Sequence, residues 1–448
     1  MVTGLPEGKV YKLPLDVEDL YTGLEGIGVG PRFVRHYRKG EWHLELGGPK
    51  HEYTSFLYAD VVLDADKIED GKVELIGPEI NEIPPETSLP FALYVKVQGP
   101  GVVPELSPLI ERFAMMGILY LEGLMINGSR ATTWIRLSKK MAPKLSFKLI
   151  GQAIRAALMA SAPIILAVEV KWVIGTPEVG GRDKIEELMN EVSPVWHGVD
   201  AKLMAIKDED VDTFYACTVC RLIAPNHVCV ISPEHLAFCG IVNYMGAQVI
   251  NALDPSGWSF AFPRGEVIDS DLGAYSGIDE MLPAKSGGVH KHFNIHSAIK
   301  YPMTNCGCME AAAFYIPEVD GIGVIQRRYT GLTPLGINFG KIAAIMSGGI
   351  QNHGFKGLAV GSMKYPKFLR GDGGWNRVVW MPRSLKTEIA DWIPEEIYQK
   401  IATEEDAIDV NDLKAFLKRV NHPVTQLYWK EGVPQPIALP LPGEDWSE

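Results

Sequence analysis

The sequence predicts a mixed α/β and α+β chain of two domains, a layered α/β domain over residues 1–200 and a Gly- and Pro-rich α+β domain over residues 201–448. Three observations carry this expectation. Strand-like and helix-like patterns alternate through the first 200 residues, the order that builds helices onto sheets. From Asp212 to about Pro382 the chain is rich in Gly and Pro and poor in long helical periods, the composition of loops held around a site. All six cysteines lie in one window of 92 residues, from Cys217 to Cys308.

Taken in order, strands are expected at 59–63, 72–76 and 91–97, followed by a helix over about 104–125. A further strand, "TTWIRLS", leads to a helix near 146–161, a strand at 164–174 and a helix from Asp183, where "KIEELM" has helical spacing. The acidic stretch "KDEDVD" at 207–212 places a boundary near residue 200; an acidic surface loop inside one domain is the alternative. Later, "IPEEIYQKI" and "DVNDLKAFLKRV" read as two surface helices, and the Pro-rich end as an extended tail lying on the surface or on a partner. There is no internal repeat, coiled-coil heptad or low-complexity block.

Composition sets the class. Hydrophobic residues at 46% and charged residues at 22% describe a soluble globular protein. A net charge of −12 and a pI near 5.5 argue against a coat for nucleic acid or anionic membrane, so an anionic substrate must meet a local basic cluster. The apolar stretch 156–168 is interrupted by Pro163 and preceded by Arg155, and is too short to span a bilayer. The start, "MVTGLPEGKV", has no charged segment followed by an apolar one, so a cytoplasmic chain without a leader is expected. There a disulfide scaffold is improbable, which leaves metal or catalysis for the cysteines.

Cys217, Cys220, Cys229 and Cys239 follow a Cys-x2-Cys-x8-Cys-x9-Cys pattern. Four thiolates at that spacing can close on a tetrahedral zinc or an iron-sulfur cubane; one close pair followed by two lone cysteines leans toward the cluster. The second constellation is Cys306-Gly307-Cys308 in "YPMTNCGC". A regular strand would put both sulfurs on one face but too far apart for one small ion. If the backbone turns inward, two thiolates and the amide nitrogens of Gly307 and Cys308 form a planar S2N2 set that suits Ni(II) or Cu(II). Glycine allows the required angles, and proline at 307 would remove a nitrogen. A redox Cys-x-Cys pair or two buried thiols are the bland alternatives, which the neighbouring four-cysteine set makes less economical.

These cysteines, with "APNHVC", "YPMTNCGC", "IPEVDGIG" and "DGGWNRVVWMP", closely resemble the CO-methylating acetyl-CoA synthase family, in the short form that is the β subunit of the archaeal-type decarbonylase/synthase complex. Family-like segments run from "LELGGPK" at Leu44 to about His422, without the extra amino-terminal domain of the long bacterial forms. The resemblance implies that Cys217, Cys220, Cys229 and Cys239 hold a [4Fe-4S] cluster and that Cys220, Cys306 and Cys308 bind a proximal nickel. Cys306, Gly307 and Cys308 would hold a second, distal nickel. A methyl group and CO would be joined at the proximal metal and removed by coenzyme A. Implied partners are a CO dehydrogenase subunit and a corrinoid iron-sulfur protein, with CO and coenzyme A as small substrates. An iron-sulfur electron carrier and a zinc-stabilised scaffold stay open as alternatives that metal content separates.

One position departs from the family pattern. Three residues after the second cysteine the family commonly has an aromatic beside the proximal metal, and this chain has Ile223, which is expected to reshape the gas pocket. The chain also reads "CRLIAP" where many relatives have Gln-Ser before the aromatic. For coenzyme A, "TWIRLSKK" offers Trp134 and Arg136 on one strand face, with Lys139 and Lys140 beyond. An indole can stack on adenine and a guanidinium can pair with phosphate. The resemblance places a Trp-x-Arg at the coenzyme A site, and a core tryptophan with a solvated arginine is the alternative. Three other features are discounted. "GIGVGP" at 26–31 reads as a plain turn, "HKHFNIH" as a solvated loop rather than an imidazole metal site, and Arg327 with Arg328 as a surface pair rather than a contact for coenzyme A or a partner protein.

Overall fold

The computed structural model describes residues 5–13, 40–52, 54–127, 130–162, 164–222, 224–240, 242–441, 444 and 446. The chain divides into two compact units, Met1–Lys202 and Leu203–Glu448. Several sheets and interleaved helices give the mixed α/β and α+β architecture that the sequence predicts.

The first unit is built on a five-stranded mixed sheet, ordered Lys9–Lys12, Lys72–Ile76, Ala167–Ile174, Phe91–Gln98, Phe56–Val61. Its two faces are covered separately. On one side Phe147, from the helix Phe147–Ser161, packs against Trp172 with ring centroids 5.0 Å apart, and both side chains are fully buried. Ser146 starts that helix by accepting the Leu149 N–H at 3.2 Å. On the other side Phe56, Tyr58 and Val173 meet Ile185, Leu188 and Trp196 of the long helix Gly181–Met204. A second sheet follows the order Thr87–Leu89, Trp42–Leu46, Trp134–Ser138, Leu124–Asn127. The helix expected over 104–125 stops at Leu119. Gly123, at φ +88°, turns the chain, and a Cβ there would lie 2.4 Å from the Met141 side chain, so 124–127 leaves as a strand. The strand expected from 164 begins at Ala167.

The apolar 156–168 stretch is a helix end followed by a strand start; it is buried through Leu158, while Ala160 and Leu166 are exposed. Arg155, at its head, is buried in a two-point pair with Asp70, at 3.0 and 2.7 Å. Among the described residues no helix is long and apolar enough to cross a membrane.

The second unit carries a three-stranded sheet, Cys229–Ile231, Thr213–Cys217, Ser259–Pro263, and a four-stranded sheet, Phe355–Leu358, Ala311–Ile316, Gly321–Gln326, Val378–Trp380. Two of the family-like segments pin each other here. Arg377 of "DGGWNRVVWMP" pairs with Asp320 of "IPEVDGIG", and Asp320 also accepts the Tyr315 hydroxyl. The two late helices are present at Glu395–Tyr398 and Val410–Arg419, the latter capped by Asp409. The Pro-rich tail lies on the unit's own core: Ile437, Leu439 and Trp446 pack against it, and the Ile437 N–H donates to Tyr315 Oη at 3.0 Å.

"KDEDVD" is not simply a solvated charge run. Asp208 is fully buried; it accepts from His296 Nε2 at 2.8 Å and from Tyr275 Oη at 3.3 Å. Lys367 Nζ reaches Glu209 at 2.6 Å, Glu234 at 2.9 Å and Asp208 at 3.6 Å. Burial alone would raise the Asp208 pKa, but the hydrogen bond and charge of His296, with Lys367, hold it well below the usual carboxylate range. A carboxyl depressed in the folded state stabilises above its unfolded value, about 3.9, and that contribution is lost as pH falls through the folded value. Lys367→Met leaves Glu234 buried without its cation and Asp208 with His296 alone. It should lower unfolding free energy by about 3–5 kcal/mol in urea titrations; a loss under about 1 kcal/mol contradicts this role.

Candidate metal centre

The segment 302–309 is irregular backbone between two anchors. Tyr301, at φ +46°, sits in the left-handed region, and its carbonyl accepts the Asn294 N–H at 2.7 Å. Asn305 then fixes the loop from inside. Its side-chain oxygen accepts the Gly357 N–H at 2.6 Å and its carbonyl accepts the Gly349 N–H at 3.0 Å. A Cβ on Gly357 would lie 2.4 Å from that Asn305 oxygen, so glycine is required for the approach. At Gly307 φ is +98°, which breaks strand geometry between the two cysteines. As a result the sulfurs of Cys306, Cys308 and Cys220 all lie within 4.8 Å of one another. The Cys308 N–H turns the same way, 3.3 Å from Cys306 Sγ.

Cys220 comes from the turn Val219–Leu222, where Thr218 is tied to the Trp258 carbonyl through its N–H at 2.9 Å and its hydroxyl at 3.1 Å. Cys217 ends the strand before this turn and lies directly across the sheet from Cys229. Cys239 sits in the tight turn closed by Gly240 N–H on the Ala237 carbonyl at 2.8 Å. No cysteine is in a disulfide. Burial raises the Cys229 pKa well above the ordinary thiol value, and Cys217, Cys239 and Cys306 push the same way, so these sulfurs share one electrostatic neighbourhood. A cubane grips its cysteines at separate irons, and therefore needs them spread around a space rather than in mutual contact.

The three close sulfurs obstruct one another's ionisation. Hydrogen bonding with Cys306 and Cys308 pushes the Cys220 thiol up, and burial adds to this. Cys306 is lowered by Cys220, but Cys308 and burial outweigh that and leave it at about 12. A cation among them reverses this logic, since a coordinating thiol is deprotonated outright. Three soft sulfurs with an inward-facing amide fit a thiophilic divalent ion of the nickel, copper or zinc type. Burial differs across the set: Cys306 is covered while Cys308 is exposed, so the site opens on one side.

Trp134 and Arg136 lie together in the first unit. The Arg136 guanidinium stacks 4.5 Å over the Trp134 ring, and Glu45 accepts from Arg136 Nε at 2.7 Å and Trp134 Nε1 at 3.2 Å. Gly48 of "LELGGPK" presses on the indole, with a Cβ there reaching within 2.6 Å of Nε1. Lys139 and Lys140 pair with Glu86 and Glu122. The basic cluster is thus matched by carboxylates, and an incoming phosphate must share or displace Glu45. Ile223 and the "GIGVGP" turn lie outside the described residues.

The histidine loop differs from the solvated reading. His290 is buried and bonds the Gly349 carbonyl at 2.8 Å, and His296 is buried on Asp208. Only His292 is well exposed, 3.0 Å from Asp279. Three residues near the cysteines had no role from sequence. His227 is buried against Thr304 Oγ1 at 3.0 Å, and burial lowers its pKa to about 4. Lys356 is fully buried, donating to the Ile295 carbonyl at 2.8 Å, and burial lowers it to about 7. Arg327, read as half of a surface pair, is exposed as that reading expects, and it also donates from Nε to the Met309 carbonyl at 2.9 Å and from Nη2 to the Gly307 carbonyl. The only sequence cue for it was its place just after a strand, which becomes informative once the Ala311↔Gln326 register is known.

The sequence matches known families and relatives over most of its length. Residues 196–429, just over half of the chain, match the family of the C-terminal part of the ACS/CODH beta subunit, and residues 27–179 match that described as CO dehydrogenase/acetyl-CoA synthase complex beta subunit. The chain is 41% identical over 402 residues to the acetyl-CoA decarbonylase/synthase complex subunit beta 2 of Methanocaldococcus jannaschii, covering 89% of this chain and 83% of that one. It is 40% identical over 409 residues to the subunit beta of Methanopyrus kandleri, covering 90% and 85%. With the subunit beta of Archaeoglobus fulgidus it shares 37% over 434 residues, covering 96% and 78%. The chain belongs to the family of CO dehydrogenase/acetyl-CoA synthase complex beta subunits.

Proposed function

We propose that this chain is an acetyl-CoA synthase, an acyltransferase that joins CO, a corrinoid-borne methyl group and coenzyme A reversibly into acetyl-CoA. The observation that carries the reading is the convergence of Cys220, Cys306 and Cys308 within 4.8 Å, with the Cys308 amide turned toward them. In this reading Cys217, Cys220, Cys229 and Cys239 hold a [4Fe-4S] cluster, Cys220, Cys306 and Cys308 hold a proximal nickel, and the amides of Gly307 and Cys308 with both flanking sulfurs hold a distal one. When bound, this nickel and iron-sulfur assembly supplies the electron-rich metal on which the methyl group and CO are joined and passed to the coenzyme A thiol.

The chain's own residues prepare that chemistry. Gly307 folds the two sulfurs to one point, and buried Cys306 with Asn305 keeps the inner side dry. Exposed Cys308 marks the side from which substrates approach. Trp134 and Arg136 are assigned to coenzyme A, the indole for its adenine and the guanidinium for a phosphate. The relatives are named as subunits of a decarbonylase/synthase complex, which supports a CO dehydrogenase subunit as a partner; a corrinoid iron-sulfur protein is the assigned methyl donor.

The reconstituted chain should hold about two nickel and four iron. Iron without nickel, or zinc alone, rejects the reading. Nickel-dependent exchange of CO with the carbonyl of acetyl-CoA should fall by at least about 100-fold in Cys308→Ala, beyond the usual effect of losing a supporting residue. Full exchange in that variant overturns the mechanism. Arg136→Ala should raise the KM for coenzyme A about tenfold or more with kcat little changed, the effect of one lost charge-assisted hydrogen bond. An unchanged KM removes Arg136 from the substrate site.

A further inference from the structure

We infer that Arg327 is a positioning residue for the nickel chelate: by holding the Gly307 carbonyl from outside, it aims the Cys308 amide nitrogen at the converging sulfurs. The inference rests on the nickel reading above and adds a residue to it.

The Gly307–Cys308 peptide is planar and trans, so its oxygen and its N–H lie in one plane and point in opposite directions across the C–N bond. Fixing the direction of the oxygen therefore fixes that of the nitrogen. Arg327 Nη2 takes the Gly307 oxygen, while the Cys308 N–H on the opposite side points to Cys306 Sγ at 3.3 Å. The same guanidinium holds the Met309 carbonyl through Nε at 2.9 Å, so Cys308 is bracketed by two anchored carbonyls. Gly307, with φ at +98° and no side chain, has little resistance of its own to rotation of that peptide. The clamp supplies it.

Arg327 is itself held. Its backbone N–H donates to the Glu310 carbonyl at 2.8 Å, continuing the hairpin pairing of Ala311–Ile316 with Gly321–Gln326 by one residue. Its guanidinium lies 5.1 Å over the Phe339 ring. A second function is electrostatic. Two thiolates and two amide nitrogens around a divalent ion leave a net negative chelate, and density gained by the nitrogen spreads through the peptide onto the carbonyl oxygen. The guanidinium, always protonated, meets it there.

The test uses the full chain reconstituted with iron and nickel, comparing wild type with Arg327→Gln, Arg327→Lys and Arg328→Gln. Arg328 is the control, a neighbour that bonds Gln326 and pairs with Glu388. The readouts are iron content, the rate at which a chelator strips nickel, and the visible absorption of square-planar nickel. Iron content should be alike in all four. Arg327→Gln should release nickel at least about tenfold faster, with a weakened square-planar band. Arg327→Lys, which keeps the charge but reaches only one carbonyl, should fall between, and Arg328→Gln should match wild type. Wild-type retention and spectrum in Arg327→Gln overturn the inference, as does loss of iron and nickel in step in both Arg327 variants. A wild type that takes up iron but no nickel refutes the underlying reading, and so separates the two failures.

Discussion

Three thiols held within 4.8 Å of one another resist ionising together, and that cost shapes the second unit. Protonated, they hydrogen-bond to one another, and the loop that carries two of them has no helix or strand to fix it. The loop is instead pinned at Tyr301, at Asn305 and, through Arg327, at Gly307 and Met309. A loop over-determined in this way would hold the proposed binding geometry in place in advance of a metal. With their pKa values raised these thiols keep their protons until a thiophilic cation displaces them, so binding is paired with proton release.

The scaffold beneath serves the same end. Strands end or begin at Cys217 and Cys229, so two of the cysteines assigned to the cluster take their direction from a sheet rather than from free loops. The buried ionic network of Asp208, His296, Glu234 and Lys367 joins the start of the unit to the loop after Cys229 and to the segment leading into Tyr301. Removing water from these charges makes the network costly to break, and so it holds its segments in register. The pairing of Arg377 with Asp320 does the same for the four-stranded sheet from which Arg327 projects.

What was legible in the sequence follows from how far each feature depends on distant partners. The cysteine constellations stood out because a rare residue recurs at short intervals, and the structure brings Cys220, Cys306 and Cys308 of them together. Strands such as 72–76 and the capped helix after Ser146 were legible for the same local reason. Asp208 was not: a charge run reads as solvated unless the far-off Lys367 and His296 are known to arrive. Arg327 was hidden likewise, since its role exists only through the hairpin register. The end of the first helix was overlooked because the apolar period runs on past Leu119 into a turn that a single glycine makes. Ile223, where the chain departs from the family's aromatic, lies outside the described residues, and sequence alone speaks for it.

Everything proposed for the centre turns on Gly307 being a ligand position and not a spacer between two cysteines. Nickel-edge X-ray absorption of the reconstituted chain addresses this directly, because it counts donor types around the metal. The predicted result is one nickel in a square-planar site with two sulfur and two nitrogen neighbours. Nickel surrounded by sulfur alone in tetrahedral geometry would contradict it.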